Sequence, residues 1–276
     1  MNEVPSIRLH DGVEIPQLGF GTFQVPPEDT QEIVEQALEV GYRHIDTAAA
    51  YQNEKGVGAA IAASDIPRDE IFVTTKLWNE HQGHDSALEA FEKSVGRLGT
   101  GHVDLYLIHW PVPSEDQFVE TWKAFEKIHA DGGARTIGVS NFRIDDLERL
   151  ERESEMRPTV NQIELHPAHQ QSELRAWQDE HGIVTEAWSP LAQGQSLEDE
   201  VVAEIAAAHG KTPAQAILRW HIQLGNVIFP KSATPERIRE NFELFDFELS
   251  GEEMERMAGL DEGERIGPDP ATFVAP

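Results

Sequence analysis

An alternation constrains the fold of this chain more than any other feature of its sequence. Short apolar segments with β-branched or aromatic content recur along the whole length, and between them run stretches whose apolar residues follow a helical period. Segments 17–20, 43–46, 71–76, 103–109, 134–139, 160–164, 183–187 and 227–229 are predicted strands, with helices over 29–40, 53–63, 85–97, 115–130, 143–153 and 172–181. Two more helices, 198–209 and 213–224, precede the last strand; Gly210 divides them, Thr212 is the N-cap and Pro213 takes the first helical position. Strand-helix repeats of this kind build a parallel sheet. Eight of them without a break in composition favour an α/β fold closed as a (β/α)8 TIM barrel. At 276 residues, one barrel domain over 1–276 is expected, with a Pro-rich C-terminal tail at 263–276 that could cover a pocket. Ahead of the first strand, SIRLH and VEIP flank Asp11-Gly12, the pair a type I′ turn prefers, so an N-terminal β-hairpin should plug one barrel end.

Composition removes whole classes of function. There is no cysteine, hence no disulfide framework, thiolate nucleophile or Cys-based metal site. The 50 acidic against 22 basic residues leave a net charge of -28, which makes nucleic acid an unexpected partner. The acids are spread through helical segments such as DTQEIVEQALEV and GEEMERM, as on a solvated outer face. Self-repulsion of that size is poorly screened at low salt, so a halophilic, salt-rich cytoplasm is expected. No apolar run is long enough to span a bilayer, and MNEVPSIRLH lacks the marks of a secretory leader. A cytoplasmic monomer with no membrane partner is expected. His81 with His84, and Glu164 with His166 and His169, lack further ligands in register, and Pro167 argues for a loop there, so no metal is expected.

An open dinucleotide-binding sheet would announce itself with G-x-G-x-x-G after its first strand, and LGFGTFQV and GVGAAI match that poorly. In a barrel, chemistry belongs at the C-terminal strand ends. Asp46, Lys76, His109, Ser140, Asn141, Gln162, Trp188 and Lys231 all fall at or just past such ends, and Tyr51 follows in the loop after Asp46. Neighbouring strands thus bring Asp46, Tyr51, Lys76 and His109 to one mouth. A phenol with an ordinary pKa near 10 donates poorly at neutral pH unless its phenolate is stabilised. A Lys76 cation at about 4 Å, in an effective dielectric of about 20, could supply roughly 4 kcal/mol, at most about three pKa units, enough to approach neutrality. Asp46 would keep Lys76 charged, and His109 could donate a hydrogen bond to a carbonyl oxygen. No side chain supplies hydride, so a nicotinamide cofactor is implied.

Taken together, GYRHIDTAAAYQNEKGVGAAI, VDLYLIHWP, IGVSNF, VNQIELHP and FPKSATPERIRENF, in this order and spacing, resemble the aldo-keto reductase family over residues 5–260. LWNEHQG, HGKTPAQAILRWH and the short SPLAQGQ loop look most like the family's bacterial 2,5-diketo-D-gluconic acid reductases. The resemblance implies a barrel that binds NADP(H) without a Rossmann domain and reduces aldehydes and ketones to alcohols. It implies Asp46, Tyr51, Lys76 and His109 as the catalytic tetrad. It implies Ser140, Asn141 and Gln162 at the nicotinamide carboxamide, Trp188 stacked on the ring, and Ser189 and Leu191 beside it. Lys231, Ser232, Thr234 and Arg237 would hold the 2′-phosphate, Glu240 and Asn241 would face the adenine, and Phe23, Trp78, His109 and Trp110 would surround a small carbonyl substrate. The longer loop that folds over the cofactor in aldose reductases is absent, so slow, clamp-limited cofactor release is not implied.

Two other functions stay open on sequence. A Schiff-base aldolase would also place a lysine at a barrel strand end, but it needs that lysine neutral, against the pull of Asp46. A non-catalytic NADPH-binding module would keep the barrel and have no use for all four residues.

Overall fold

The computed structural model describes residues 4–274. Residues 1–3 of the stretch read for a leader, and 275 and 276 of the tail, lie outside the described residues. The amino-terminal hairpin is β1 (Ser6–Arg8) paired antiparallel with β2 (Glu14–Pro16). Its turn is not type I′. Of Asp11 and Gly12, only Gly12 takes a positive φ, 91°. The Leu9 carbonyl accepts from Gly12 N at 2.9 Å and Leu9 N donates to Val13 O at 2.8 Å, the pattern of a tight turn closed by a glycine bulge. The register accounts for the difference: Leu9 faces Val13, leaving a three-residue loop where a type I′ turn needs two, and the Asp11 carboxylate ties that loop to the barrel by accepting from Val13 N at 3.0 Å and from the Thr136 hydroxyl at 2.6 Å.

Eight strands follow: β3 (Phe20–Gly21), β4 (His44–Asp46), β5 (Phe72–Leu77), β6 (Val103–Ile108), β7 (Ala134–Ser140), β8 (Val160–Glu164), β9 (Val184–Trp188) and β10 (Val227–Ile228). Each pairs in parallel with the next, in sequence order. A parallel bridge between Leu18 and Ile228 closes the ring, with Gly19 N donating to Ile228 O and Ile228 N to Gln17 O. This is the (β/α)8 barrel expected from the alternation. Inside it, Phe72, Leu105, Leu107, Val160, Val227 and Phe229 pack with Leu9 and Ile15 of the hairpin, which therefore fills one end. A much larger apolar layer lies between strands and helices.

The helices are α1 (Thr30–Val40), α2 (Glu54–Ala63), α3 (His84–Leu98), α4 (Phe118–Ala130), α5 (Ile144–Glu153), α6 (Ser172–Glu180), α7 (Glu200–Ala208), α8 (Pro213–Gln223), α9 (Pro235–Glu240) and α10 (Gly251–Ala258). In α1 the buried Ile33, Val34, Ala37 and Leu38 recur at helical spacing, which is why one face packs on the sheet. Helix α8 begins as expected: the Thr212 hydroxyl accepts from Gln215 N, and the Gln215 side chain accepts from Thr212 N. Helix α4 starts three residues later than its periodicity predicts. Val112 and Asp116 take positive φ after Pro111 and Pro113, so the chain cannot enter a helix before Gln117. Among the described residues, no helix is long and apolar enough to cross a membrane.

Candidate active site

The C-terminal strand ends open into one cleft of about 1570 Å³. It is longer than a small carbonyl needs, and its two ends differ in character. At one end Asp46 closes β4, and Lys76 sits one residue from the end of β5, fully buried. Lys76 Nζ donates to both carboxylate oxygens of Asp46, each at 2.7 Å, and to Thr47 O at 3.0 Å. A buried ammonium so surrounded is held by several acceptors at once, and it also reaches the Tyr51 phenol. Burial alone would lower its pKa; the Asp46 carboxylate outweighs that and holds it above the usual lysine value. The Lys76 cation also lies 5.2 Å from the centroid of the Tyr51 ring.

Tyr51 ends a short 3-10 turn, Ala49–Tyr51, where Gln52 turns the chain with a φ of 58°. Asn53 braces this loop, its carbonyl oxygen accepting from Thr47 Oγ1 and its amide donating to Thr22 O. The Tyr51 phenol is held above its ordinary pKa. Burial dominates, and the opposing pull of Lys76, by charge and hydrogen bond, is too small to reverse it. The sequence-based expectation of a phenol near neutrality is thus corrected: desolvation was left out of it, and the group stays protonated.

His109 follows β6 and is 8% exposed. Its ring meets Tyr51 edge-on at 5.7 Å and Trp78 at 5.2 Å. Burial first, then repulsion by Lys76, keeps it neutral, with a pKa well below the usual histidine range. Its Nδ1 has no hydrogen-bond partner among the described residues.

Asn141, with a φ of 64°, donates to His109 O at 2.9 Å and Ser140 Oγ at 3.0 Å, and accepts from Trp188 Nε1 at 2.8 Å. Ser140 donates to Gln162 O. Gln162 lies within β8 rather than past its end, and its amide donates to two acidic side chains, Asp46 at 3.0 Å and Glu186 at 2.9 Å. Glu186 escaped the sequence analysis. It is fully buried on β9, and burial, then the nearby Asp46 charge, push its pKa up to about 8.

At the other end of the cleft stand Lys231, Ser232, Arg237, Glu240 and Asn241. Lys231 and Arg237 are exposed, and among the described residues neither has an acidic partner within ion-pair distance, although acids outnumber bases more than twofold. Ser232 and Thr234 instead bond each other: Thr234 N donates to Ser232 Oγ at 3.1 Å. Thr234 stands at the N-cap of α9 and is the one expected cofactor residue that does not line the cleft. Between the ends, Trp188, Ser189 and Leu191 lead into Ala192–Glu198, where Gln193 and Gly194 turn with positive φ and line the wall. Gly194 in SPLAQGQ was the sequence signal for that turn.

Phe23, Trp78 and Trp110 surround the Tyr51 end; Phe23 packs on Tyr51 at 5.2 Å and is 48% exposed. The tail joins them, with Ile266, Gly267, Pro268 and Phe273 in the wall and Phe273 on Trp110 at 4.3 Å. Among the described residues, no three histidine, aspartate or glutamate side chains gather as a metal site.

Comparison with known proteins agrees with this picture. Residues 17–262 match the model of the aldo/keto reductase family. The chain is 57% identical over 269 residues to an aldo-keto reductase of Mycolicibacterium smegmatis, covering 98% of each, and 50% identical over 275 residues to the methylglyoxal reductase DkgA of Yersinia pestis, covering 99% of each. A crystal structure of a Gox0644 mutant in complex with NADPH superposes with a TM-score of 0.96 at 44% identity, covering 99% of this chain and 100% of that one. Fold, cleft and full-length matches lead to one conclusion: the chain belongs to the aldo/keto reductase family.

Proposed function

We propose that Tyr51 is the proton donor in this chain's reaction, the NADPH-dependent reduction of an aldehyde or ketone to an alcohol. The observation that carries this is the buried Lys76 ammonium, gripped by both oxygens of Asp46 beneath the Tyr51 ring. NADPH, when bound, supplies the hydride that no side chain can. Negative charge then builds on the former carbonyl oxygen. Neutral His109 donates a hydrogen bond to it, and Tyr51 gives up its proton. Lys76 stabilises the phenolate left behind, and Asp46 keeps that lysine charged. A Schiff-base aldolase would need the same lysine as a free amine, which this arrangement opposes.

Ser140, Asn141 and Gln162 would hold the carboxamide of the cofactor, with Trp188, Ser189 and Leu191 along its nicotinamide half. Lys231, Ser232, Thr234 and Arg237 would take the 2′-phosphate, and Glu240 and Asn241 the adenine. Support comes from the two unpaired cations at the far end of a cleft large enough for a dinucleotide. Thr234 would act through its bond to Ser232. Phe23, Trp78, His109 and Trp110 would face a small carbonyl compound. The relatives named as methylglyoxal reductases make a short dicarbonyl the first substrate to try. The 2,5-diketo-D-gluconate reductase subgroup is the finer placement that LWNEHQG and SPLAQGQ support.

The working form is a cytoplasmic monomer, one barrel domain over 1–276, in a salt-rich cell and without nucleic-acid partners; the net charge of -28 supports this reading. A melting temperature that climbs with KCl is expected, and one that is flat or falling refutes the halophilic assignment. For the reaction, NADPH oxidation is measured across an aldehyde panel in high salt. Tyr51→Phe should lose about 10²–10⁴-fold in kcat with little change in NADPH affinity. Retained activity in that variant would exclude Tyr51 as the acid.

A further inference from the structure

Glu164 plays no part in the proton delivery described above, yet it ends β8 with its side chain wholly buried. Its partners come from the C-terminal tail. Ile266 N donates to Oε1 at 2.6 Å and Gly267 N to Oε2 at 3.1 Å, and Arg265 Nη1 lies 3.9 Å from Oε2. His166 completes the shell with Nε2 3.0 Å from Oε1. Arg265 also reaches Gln171 Oε1 at 3.4 Å, and Glu262 N and Glu264 N both donate to Ala168 O. The loop that carries Glu164, His166 and His169 is therefore the landing site of the tail.

Sterics make the same contact selective. Glu164 pairs with Trp188 across β8 and β9, and Gly267 is pressed against both. A Cβ at position 267 would come 2.4 Å from Trp188 Cη2 and 2.9 Å from Glu164 Oε2, so any other residue must displace the indole or the carboxylate. Beyond this point the tail runs on to seat Phe273 on Trp110, and both line the cleft together with Phe23 and Tyr51.

We propose that Glu164 is the latch of the C-terminal tail and, through it, a positioning residue that restricts the site to short carbonyl substrates. Docking depends on a buried carboxylate that accepts two backbone N–H groups, and charge-assisted bonds of this kind are the strong ones. Burial would raise the pKa of this acid, but His166 and the two N–H groups hold it below the ordinary carboxylate value, so the latch stays charged at neutral pH. The selectivity part rests on the carbonyl-reductase assignment; the docking part does not.

Trypsin separates the two parts, because the bond after Arg265 contains the very N–H that Glu164 holds. In the full chain that bond should resist cleavage. Glu164→Ala and Gly267→Ala should each be cut there about tenfold faster or more, read by the mass of the released peptide. Glu164→Gln, which keeps one carbonyl acceptor, should fall between. In the same variants the KM for a bulky aromatic aldehyde should fall relative to that for methylglyoxal, with the change in KM exceeding that in kcat. Unchanged cleavage in both alanine variants overturns the latch. Faster cleavage with an unchanged KM ratio overturns the positioning role. If Glu164→Ala does not fold, Gly267→Ala carries both readouts from the tail side, with an unchanged KM for NADPH required to show that Trp188 has not moved. Should no form oxidise NADPH with any aldehyde, the reductase assignment fails while the trypsin comparison still decides the latch.

Discussion

The two ends of the cleft are built on opposite principles. Beside Tyr51, the charged pair is buried and already matched: Lys76 is held by Asp46 and Thr47, and Asp46 is further held by Gln162. Around Lys231 and Arg237, the charges are exposed and unpaired. The buried end commits folding energy in advance to fix the proposed proton donor, because a reacting group must already be in place when charge develops. The exposed end keeps its cations in water, where they cost little and stay available to an anion. One end is therefore tied to stability as well as rate, and the other to affinity alone.

Lys76→Met should break that contrast most severely. It strips the phenolate of its cation and strands Asp46 in the interior. A loss of about 3–5 kcal/mol in unfolding free energy is expected from the unpaired buried charge, together with a fall in kcat on the order of 10²-fold. Urea denaturation and steady-state kinetics on one preparation test both, and a fall in rate without loss of stability would mean the pair is not structurally important.

Glu186→Gln probes the cost of burying an acid so deeply beside Asp46. The native pKa of about 8 lies above the ordinary glutamate value of 4.5, so between these the native state holds a proton that the unfolded chain has released. Wild-type stability from this group is therefore highest below about pH 4.5 and is lost as pH rises toward 8, by at most about 1.4 kcal/mol per unit. Relative to wild type, the glutamine variant should gain stability steadily over that window. Parallel stability curves from pH 5 to 8 would contradict the assignment.

Arg237→Ala acts at the exposed end and should be the mildest. It should raise the KM for NADPH about tenfold and leave that for NADH and the melting temperature nearly unchanged. Equal effects on both cofactors would remove Arg237 from the proposed phosphate site.

Much of the fold was legible because it rests on local signals. The apolar periods of α1 and the Thr212-Pro213 start of α8 are written in consecutive residues, and strand ends in a barrel converge by topology. What escaped depends on residues far apart in the chain. The Asp11-Gly12 turn changes type because the hairpin pairs one residue out of the expected register, with Leu9 rather than His10 facing Val13, and Thr136, far off in the chain, holds the loop in place. Tyr51 was expected near neutrality because its distance to a cation could be guessed from sequence, whereas its burial could not. Glu186 looked like any acid in an acidic chain, and nothing local says that it shares an amide with Asp46. Helix α9 is too short to declare a period.

The closure of the barrel has a consequence for the making of the protein. The seam joins the first strand region to the last: the Gln17 side chain donates to Ile222 O and Asn226 O, 205 and 209 residues away in sequence. A contact of such separation is among the costliest in chain entropy and so among the slowest to form. During synthesis, then, Leu18 to Gly21 must wait with an open strand edge, exposed to other nascent chains, until nearly the whole polypeptide has emerged. A barrel truncated before Val227 has no partner to close that edge, and the cell would meet it as a sticky fragment rather than as a weaker enzyme.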